Sequence, residues 1–205
     1  MGNKNSGRKN ATTVLKESND YVAMQYNWDH YRENPANYVE NIILSRREDG
    51  VKLLAYQADI LDMVAKHEWV ALCGCNGMGK DTLTAWLIEW YLMTHPMAKV
   101  PCTSGVTRQL KEILFSEVHK WSKQSVMAPC MKFMDMAVRI KGFEKEWFAL
   151  GFASKAGDHG AEESKAEGFH ADNLMYVVTE AKAVEDYVWV AIKKACTKKG
   201  NKIFA

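Results

Sequence analysis

The sequence contains no apolar run that approaches the roughly 18 residues needed to cross a membrane, so no transmembrane segment is predicted. It also has little net charge. The 27 Lys and Arg residues against 25 Asp and Glu leave +2, which excludes a uniformly basic, histone-like coat. Cysteine is scarce, and the five residues form an odd, widely spread set. We therefore expect reduced thiols in a cytoplasmic protein. Cys73 and Cys75 lack partners at zinc-site spacing and do not indicate a metal site.

What the chain does have is the composition of a folded domain. It has 205 residues, of which 47% are apolar and 11% aromatic, which predicts one packed domain with an appendage. We divide it into a disordered basic arm at 1–12, a helical segment or lid at 13–52, and a main domain at 53–205. Basic residues without acids also cluster near the C-terminus, where they are either nucleic-acid contacts or solvated surface. This cluster contains Lys193, Lys194, Lys198, Lys199 and Lys202.

Short apolar runs alternate with helical patterns from residue 53 onward. The runs at 69–72, 99–103 and 174–178 predict strands, and 137–140 and 147–152 predict two more, followed by a polar loop at 154–168. Three helices are predicted by apolar residues that recur on one face. These residues are Leu83, Trp86, Leu87 and Trp90; Leu110, Ile113, Leu114, Val118 and Trp121; and Val184, Tyr187, Val188 and Ala191. The second set uses a spacing of i+8 in place of i+7. The alternation predicts an α/β fold with a mostly parallel, twisted sheet flanked by helices and a small N-terminal helical segment.

One motif carries chemistry. Residues 74–80 read GxxxxGK, directly after an apolar strand and before the predicted amphipathic helix that starts at Thr82. This context is typical of a phosphate-binding loop, in which glycines let successive N–H groups turn onto phosphate oxygens and the lysine reaches the β and γ phosphates. The predicted nucleotide-binding residues here are Gly74, Cys75, Asn76, Gly77, Met78, Gly79, Lys80, Asp81 and Thr82.

The loop departs from the usual pattern at its last position. A hydroxyl residue normally follows the lysine and binds Mg²⁺, but this chain has Asp81. A P-loop ATPase also needs an acid pair, Asp then Glu, at the end of an apolar strand. Residues 175–178 supply the strand, Thr179 occupies the Asp position, and Glu180 occupies the Glu position.

The carboxylate and the hydroxyl are therefore exchanged between the two motifs. Exchange leaves one of each around the cation and preserves the local charge. Our hypothesis is that Asp81 ligates Mg²⁺, that Thr179 lies in its outer coordination shell, and that Glu180 is the catalytic base. The alternative is that the two positions changed independently and that the domain still binds nucleotide but has lost its catalytic function. His159 and His170, each beside an aspartate, are explained by loop polarity and not by a metal site.

These residues resemble the P-loop NTPase domain of the large terminase subunit, the ATPase motor that packages DNA into tailed phages. The resemblance covers about 38–205. It includes Walker A at 74–81, Walker B at 175–180, the T-S-G-V-T-R-Q stretch at 103–109, and the G-F-H-A-D-N-L stretch at 168–174. It implies that Tyr56 and Gln57 approach the adenine.

The resemblance further implies ATP and Mg²⁺ as cofactors, and double-stranded DNA, the portal protein and the small terminase subunit as partners. It also implies a homo-oligomeric ring in the host cytoplasm, transiently at the portal. The phosphate loop contains no arginine. The arginine finger, the positive charge that meets the γ phosphate, is therefore Arg108, Arg139, Lys165 or a residue of a neighbouring subunit. Arg108 is the catalytic candidate beside Lys80 and Glu180. The coupling motif and the nuclease domain are not in the sequence, so we expect no DNA cleavage.

Two other functions remain open at this stage. Some nucleoside monophosphate kinases also have the sequence G-K-D-T in their phosphate loop, and in such a kinase Asp81 and Thr82 would be the usual residues. Such kinases need an arginine-rich lid, whereas only Arg108 and Arg139 follow Lys80. The domain could also bind nucleotide without hydrolysing it and serve as a docking module.

Overall fold

The described part of the chain, in a computed structural model, comprises residues 27–75, 77–153 and 168–205. The predicted basic arm at 1–12, the first part of the predicted helical segment, most of the predicted polar loop at 154–168, Asn76, His159 and Lys165 lie outside the described residues. No helix in the described ranges is both long and apolar enough to cross a membrane.

The centre of the fold is a seven-stranded sheet formed by the described residues, with the order β1-β7-β6-β2-β5-β4-β3. The first five strands in this order, β1, β7, β6, β2 and β5, run parallel to one another. The β3–β4 hairpin is antiparallel and forms the other edge of the sheet. The expected mostly parallel sheet is therefore confirmed. The strands are β1 (Trp69–Val70), β2 (Lys99–Ser104), β3 (Met131–Met134), β4 (Ala137–Ile140), β5 (Phe148–Ala153), β6 (Met175–Thr179) and β7 (Lys202–Phe204).

Helices cover both faces of this sheet. They are α1 (Trp28–Glu33), α2 (Pro35–Tyr38), α3 (Ala55–Lys66), α4 (Lys80–Thr94), α5 (Phe115–Ser122) and α6 (Asp186–Ala195). Alternate residues of β6 enter opposite cores, as the period of two in a strand requires. Met175 and Val177 join the core under α4 and α5, whereas Tyr176 and Val178 join the core under α6.

Helix α4 is buried on every side and not amphipathic, which corrects the prediction from sequence. Every residue from Leu83 to Thr94 is buried, because the sheet, α5 and the N-terminal helices surround it. A helix enclosed in this way is expected to be apolar all round. The phosphate-loop motif at its N-terminus is thereby fixed to the centre of the domain.

The N-terminal helices share the main core and are tied to α4 by polar contacts. Trp90 Nε1 donates to the Tyr31 carbonyl at 2.7 Å, and Tyr38 Oη donates to Glu89 Oε1 at 3.2 Å. Ser125 Oγ donates to the same carboxyl oxygen at 2.5 Å. Burial raises the pKa of Glu89 despite these hydrogen bonds. Glu89 thus joins three segments as a buried carboxyl that resists ionisation.

The predicted helix around Leu110 contains a π-helical turn, Gln109–Leu114, before α5 begins. Its wider turn accounts for the i+8 spacing, since each π turn holds more residues than an α turn. Leu110 and Leu114 are buried as expected, but Ile113 is 39% exposed. The prediction that Ile113 shares the core face is therefore wrong.

Lys202 is also misplaced by the sequence pattern, which put it in a basic cluster that either contacts nucleic acid or is solvated surface. It is 8% exposed, and its Nζ donates to the carbonyls of Ala65 and His67 at 2.9 and 3.1 Å. It thus binds the end of α3, where free carbonyls favour a cation. Burial lowers the pKa of Lys202, with a smaller opposing effect of Glu68.

We predict that Glu89→Gln changes the pH dependence of stability. The folded state holds the Glu89 proton more tightly than the unfolded chain, so wild-type stability falls as pH rises above the ordinary value of 4.5 toward the raised pKa. Glu89→Gln should unfold at a higher temperature than wild type at pH 8, with a smaller difference at pH 5. Glu89→Ala should be about 3 kcal/mol less stable than Glu89→Gln at both pH values because it leaves hydroxyls unpaired around a cavity. A glutamine advantage that grows toward low pH contradicts the argument.

Candidate active site

The glycine motif forms a turn between β1 and α4. Gly77 and Gly79 have φ of +84° and +79°, a left-handed conformation that glycine adopts without a side-chain clash. Gly79 is the residue that precedes α4, and its carbonyl accepts the N–H of Leu83 at 2.9 Å. The first N–H groups of α4 therefore lie at the end of the turn, where an anion is favoured.

Lys80 is held by the loop itself. Its Nζ donates to the carbonyl oxygens of Gly74 at 2.7 Å and Cys75 at 3.1 Å. These bonds fix the ammonium group across the loop. A phosphate that recruits Lys80 must replace two carbonyl acceptors, and charged phosphate oxygens are the stronger partners.

The first turn of α3 supports the loop from outside. Tyr56 Oη donates to the Met78 carbonyl at 2.7 Å. Gln57 is buried, its Oε1 accepts the N–H of Leu54 at 3.0 Å, and its Nε2 would lie 3.4 Å from a Cβ placed on Gly79. Both predicted residues therefore lie against the Met78–Gly79 turn and fix its position.

The loop and the end of β6 line one cavity of about 450 Å³, a size typical of ligand sites. The structure brings together Gly74, Lys80, Asp81, Thr179 and Glu180 at this cavity. The last strand, β7, lies between β1 and β6, and Phe204 contributes to the cavity wall. Parallel strand order thus places the phosphate-loop lysine and the acidic strand at the same edge of the sheet.

The β6 side of the cavity has two unusual features. The hydroxyl oxygen of Thr179 is buried and has no hydrogen-bond partner among the described residues. Glu180 has φ of +52° and ψ of 50°, a left-handed conformation that is costly for a residue with a side chain. An unpaired hydroxyl and backbone strain at one cavity indicate a site shaped for a ligand.

The carboxyl of Asp81 lies in a crowded electrostatic environment. Partial burial raises the pKa of Asp81, Glu117 and Glu180 raise it further, and Lys80 opposes them. A divalent cation would relieve this repulsion, and carboxylate and hydroxyl oxygens are ligands that Mg²⁺ accepts. Asp81 and Thr179 therefore fit a magnesium ion. No three His, Cys, Asp or Glu side chains in the described ranges form a protein-only metal site.

Glu117 is a functional candidate that sequence reasoning missed. Its Oε2 accepts Thr82 Oγ1 at 3.0 Å and Trp121 Nε1 at 2.8 Å, and Lys120 forms an ion pair with it at 3.0 Å. Although partial burial opposes it, these hydrogen bonds lower the pKa of Glu117 overall. Thr82, predicted to bind nucleotide, thus holds Glu117 next to Asp81 and is not among the residues that line the cavity.

The candidate arginines lie away from the cavity. Arg108 is exposed, and its Nε forms an ion pair with Glu112 at 2.6 Å. Arg139 stacks over the Phe148 ring at 5.0 Å. A basic residue that the sequence analysis passed over, Lys182, does line the cavity. Only its place two residues after Glu180 could have indicated it.

Comparisons with known proteins address the fold as a whole. A protein of Enterobacteria phage P7, described as a probable terminase large subunit, is 27% identical over 140 residues. The aligned region covers 66% of this chain and 28% of the phage P7 protein. The solved structure of a large terminase from a thermophilic bacteriophage superposes with a TM-score of 0.57 at 12% identity. That match covers 75% of this chain and 38% of the thermophilic phage protein, and no protein-family model matches.

The chain is therefore similar in sequence to a probable terminase large subunit and shares its fold with a solved large terminase. The expected P-loop NTPase fold is confirmed by the shared architecture. The chain spans about a quarter to two fifths of the length of these terminases.

The turn after Glu180 packs tightly on Gly105. A Cβ at Gly105 would lie 2.4 Å from the Ala183 carbonyl oxygen and 2.9 Å from its Cβ. We predict that Gly105→Ala displaces the turn and costs about 2 kcal/mol of unfolding free energy, measured by urea denaturation. Gly50→Ala is the control, because no atom lies within 4 Å there and only its φ of +73° is strained. Equal losses in the two variants contradict the close-contact argument.

Proposed function

We propose that this domain binds ATP with Mg²⁺, hydrolyses it, and supplies the energy for packaging double-stranded DNA. The observation that carries the proposal is the single cavity shared by the phosphate loop and the end of β6. The similarity to terminase large subunits supports the same function. Since the chain spans a part of those proteins, the complete motor requires more than this domain.

The residues divide the work of hydrolysis. The loop N–H groups and the α4 N-terminus bind phosphate oxygens, and Lys80 exchanges the Gly74 and Cys75 carbonyls for the β and γ phosphates. Glu180 accepts a proton from the attacking water. The water oxygen bonds to the γ phosphorus as the bond between that phosphorus and the β–γ bridging oxygen breaks, which gives ADP and inorganic phosphate.

Asp81 and Thr179 would hold the magnesium ion, with Asp81 as a direct ligand and Thr179 in the outer coordination shell. The ion neutralises charge on the β and γ phosphate oxygens when it is bound. The crowding of Asp81 by two carboxylates and the unpaired Thr179 hydroxyl support this assignment. The exchange of residue types between the two motifs then preserves the ligand chemistry.

Arg108 is proposed to act on a neighbouring subunit. It is exposed at the surface and lies outside the cavity of its own chain. An arginine that is donated in trans to the γ phosphate requires a homo-oligomer, and the ring around a portal that terminases imply would provide one. The portal protein, the small terminase subunit and DNA are the proposed partners, with the host cytoplasm as the location.

The kinase alternative finds little support at the cavity. A nucleoside monophosphate kinase needs arginines that embrace two nucleotides, but neither Arg108 nor Arg139 lines the site. Transfer of phosphate to a nucleoside monophosphate, rather than release of inorganic phosphate, would favour a kinase. Tight ATP binding without phosphate release, even with DNA and portal supplied, would favour a non-hydrolysing docking module.

We predict that binding and hydrolysis are lost separately. Lys80→Met should abolish ATP binding measured by calorimetry, since the loop loses its cation. Glu180→Gln should bind ATP within about twofold of wild type and lower hydrolysis about 100-fold or more. Glu185→Gln is the matched control, because Glu185 is exposed at the start of α6 and lies outside the cavity. Normal hydrolysis by Glu180→Gln contradicts the assignment of the base.

We predict that the exchanged pair behaves as a unit. Asp81→Thr removes the carboxylate and Thr179→Asp adds a second one, so each single change should lower Mg²⁺-dependent ATP hydrolysis. The double variant restores one carboxylate and one hydroxyl and should recover activity above both single variants. Phosphate release at several Mg²⁺ concentrations measures the effect. A double variant no better than the worse single variant excludes the exchange.

A further inference from the structure

Lys182 is a cation at the cavity to which the proposed mechanism gives no role. It lines the cavity together with Lys80, Asp81 and Glu180. Its side chain is exposed and makes no ion pair or hydrogen bond with any residue in the described ranges. Lys80, by contrast, is held by two loop carbonyls. Lys182 is thus available to an anion without breaking an existing contact.

The backbone holds Lys182 in place. The left-handed conformation of Glu180 starts a 3-10 turn, Ala181–Ala183, in which the Ala183 N–H donates to the Glu180 carbonyl at 2.8 Å. Gly105 packs beneath this turn at a separation that leaves no room for a Cβ. Lys182 is therefore carried on a rigid turn at the side of the cavity where Glu180 lies.

The charges of the cavity favour a role for this lysine. Its described lining contains two lysines, Lys80 and Lys182, against two carboxylates, Asp81 and Glu180. Without Lys182 the lining would carry an excess of one negative charge and would repel a polyphosphate. Arg108 and Arg139 do not compensate within the chain, because neither of them lines the cavity.

We propose that Lys182 contacts the terminal phosphate of the bound nucleotide and makes the site prefer a nucleoside triphosphate over a diphosphate. This inference rests on the proposed nucleotide-binding function. Lys80 serves the phosphates nearest the loop, whereas Lys182 is two residues from the proposed base, which faces the γ phosphate. A cation there meets a group that ATP has and ADP lacks.

The test compares the affinities of the full chain for AMP-PNP and ADP by calorimetry with Mg²⁺ present. Lys182→Met removes the charge, and Lys182→Arg keeps it. Lys145→Met is the matched control, because Lys145 is an exposed lysine in the turn before β5 and lies outside the cavity. Thermal unfolding of each variant checks that the fold is intact.

We expect Lys182→Met to weaken AMP-PNP binding about tenfold or more and ADP binding by less than about twofold. Lys182→Arg should restore most of the difference, and Lys145→Met should match wild type. Unchanged AMP-PNP affinity, or equal weakening of both nucleotides, overturns the role of Lys182 and leaves the proposed function intact. A wild-type chain that binds neither nucleotide overturns both.

Discussion

The enclosure of α4 is the constraint on which the candidate site depends. Residues from Leu83 to Thr94 are buried on every side, so the helix cannot shift without disturbing the sheet and the N-terminal helices. The phosphate loop is the direct continuation of this helix. Its glycines give the backbone freedom to turn, whereas Tyr56 and Gln57 restrain the same turn from α3. The anion site is consequently positioned by the domain core, and no binding free energy is needed to order the helix that carries it.

The strand order sets the width of the cavity. Neighbouring strands lie about 4.8 Å apart, so the insertion of β7 separates the ends of β1 and β6 by roughly 10 Å. A cation with oxygen ligands on both sides at about 2.1 Å needs less than half of this span. Water and phosphate oxygens must occupy the rest. The proposed arrangement, with the Asp81 carboxylate as the direct ligand and the Thr179 hydroxyl acting through an intervening oxygen, is compatible with a span of this size.

Sequence patterns predicted the parts of this molecule that have strong local rules. The GxxxxGK motif, the strand before it and the acidic strand were predictable because backbone conformation and hydrophobic period leave clear traces at those positions. Tertiary enclosure leaves no such trace. The sequence predicts Lys202 as a surface charge, but its Nζ binds a carbonyl at the end of α3. The sequence predicts Ile113 as a core residue, but it lies in a π-helical turn and is exposed. Lys182 was missed because its only sequence signal is its place two residues after Glu180, and the left-handed conformation of Glu180 is not predictable from the sequence.

The strain at Glu180 connects the site to the rest of the sheet. A left-handed glutamate persists only if its surroundings enforce the conformation. Here the turn after Glu180 packs closely at Ala183 against Gly105, which directly follows the neighbouring strand β2. A displacement of the turn that carries Glu180 and Lys182 toward Gly105 would therefore also move the backbone at Gly105. The segment that follows Gly105 leads within a few residues to Arg108 and the π-helical turn. The turn that carries the proposed base and the proposed phosphate-contacting lysine therefore packs against the segment that leads to the surface arginine, and this packing would couple the proposed hydrolysis to the surface.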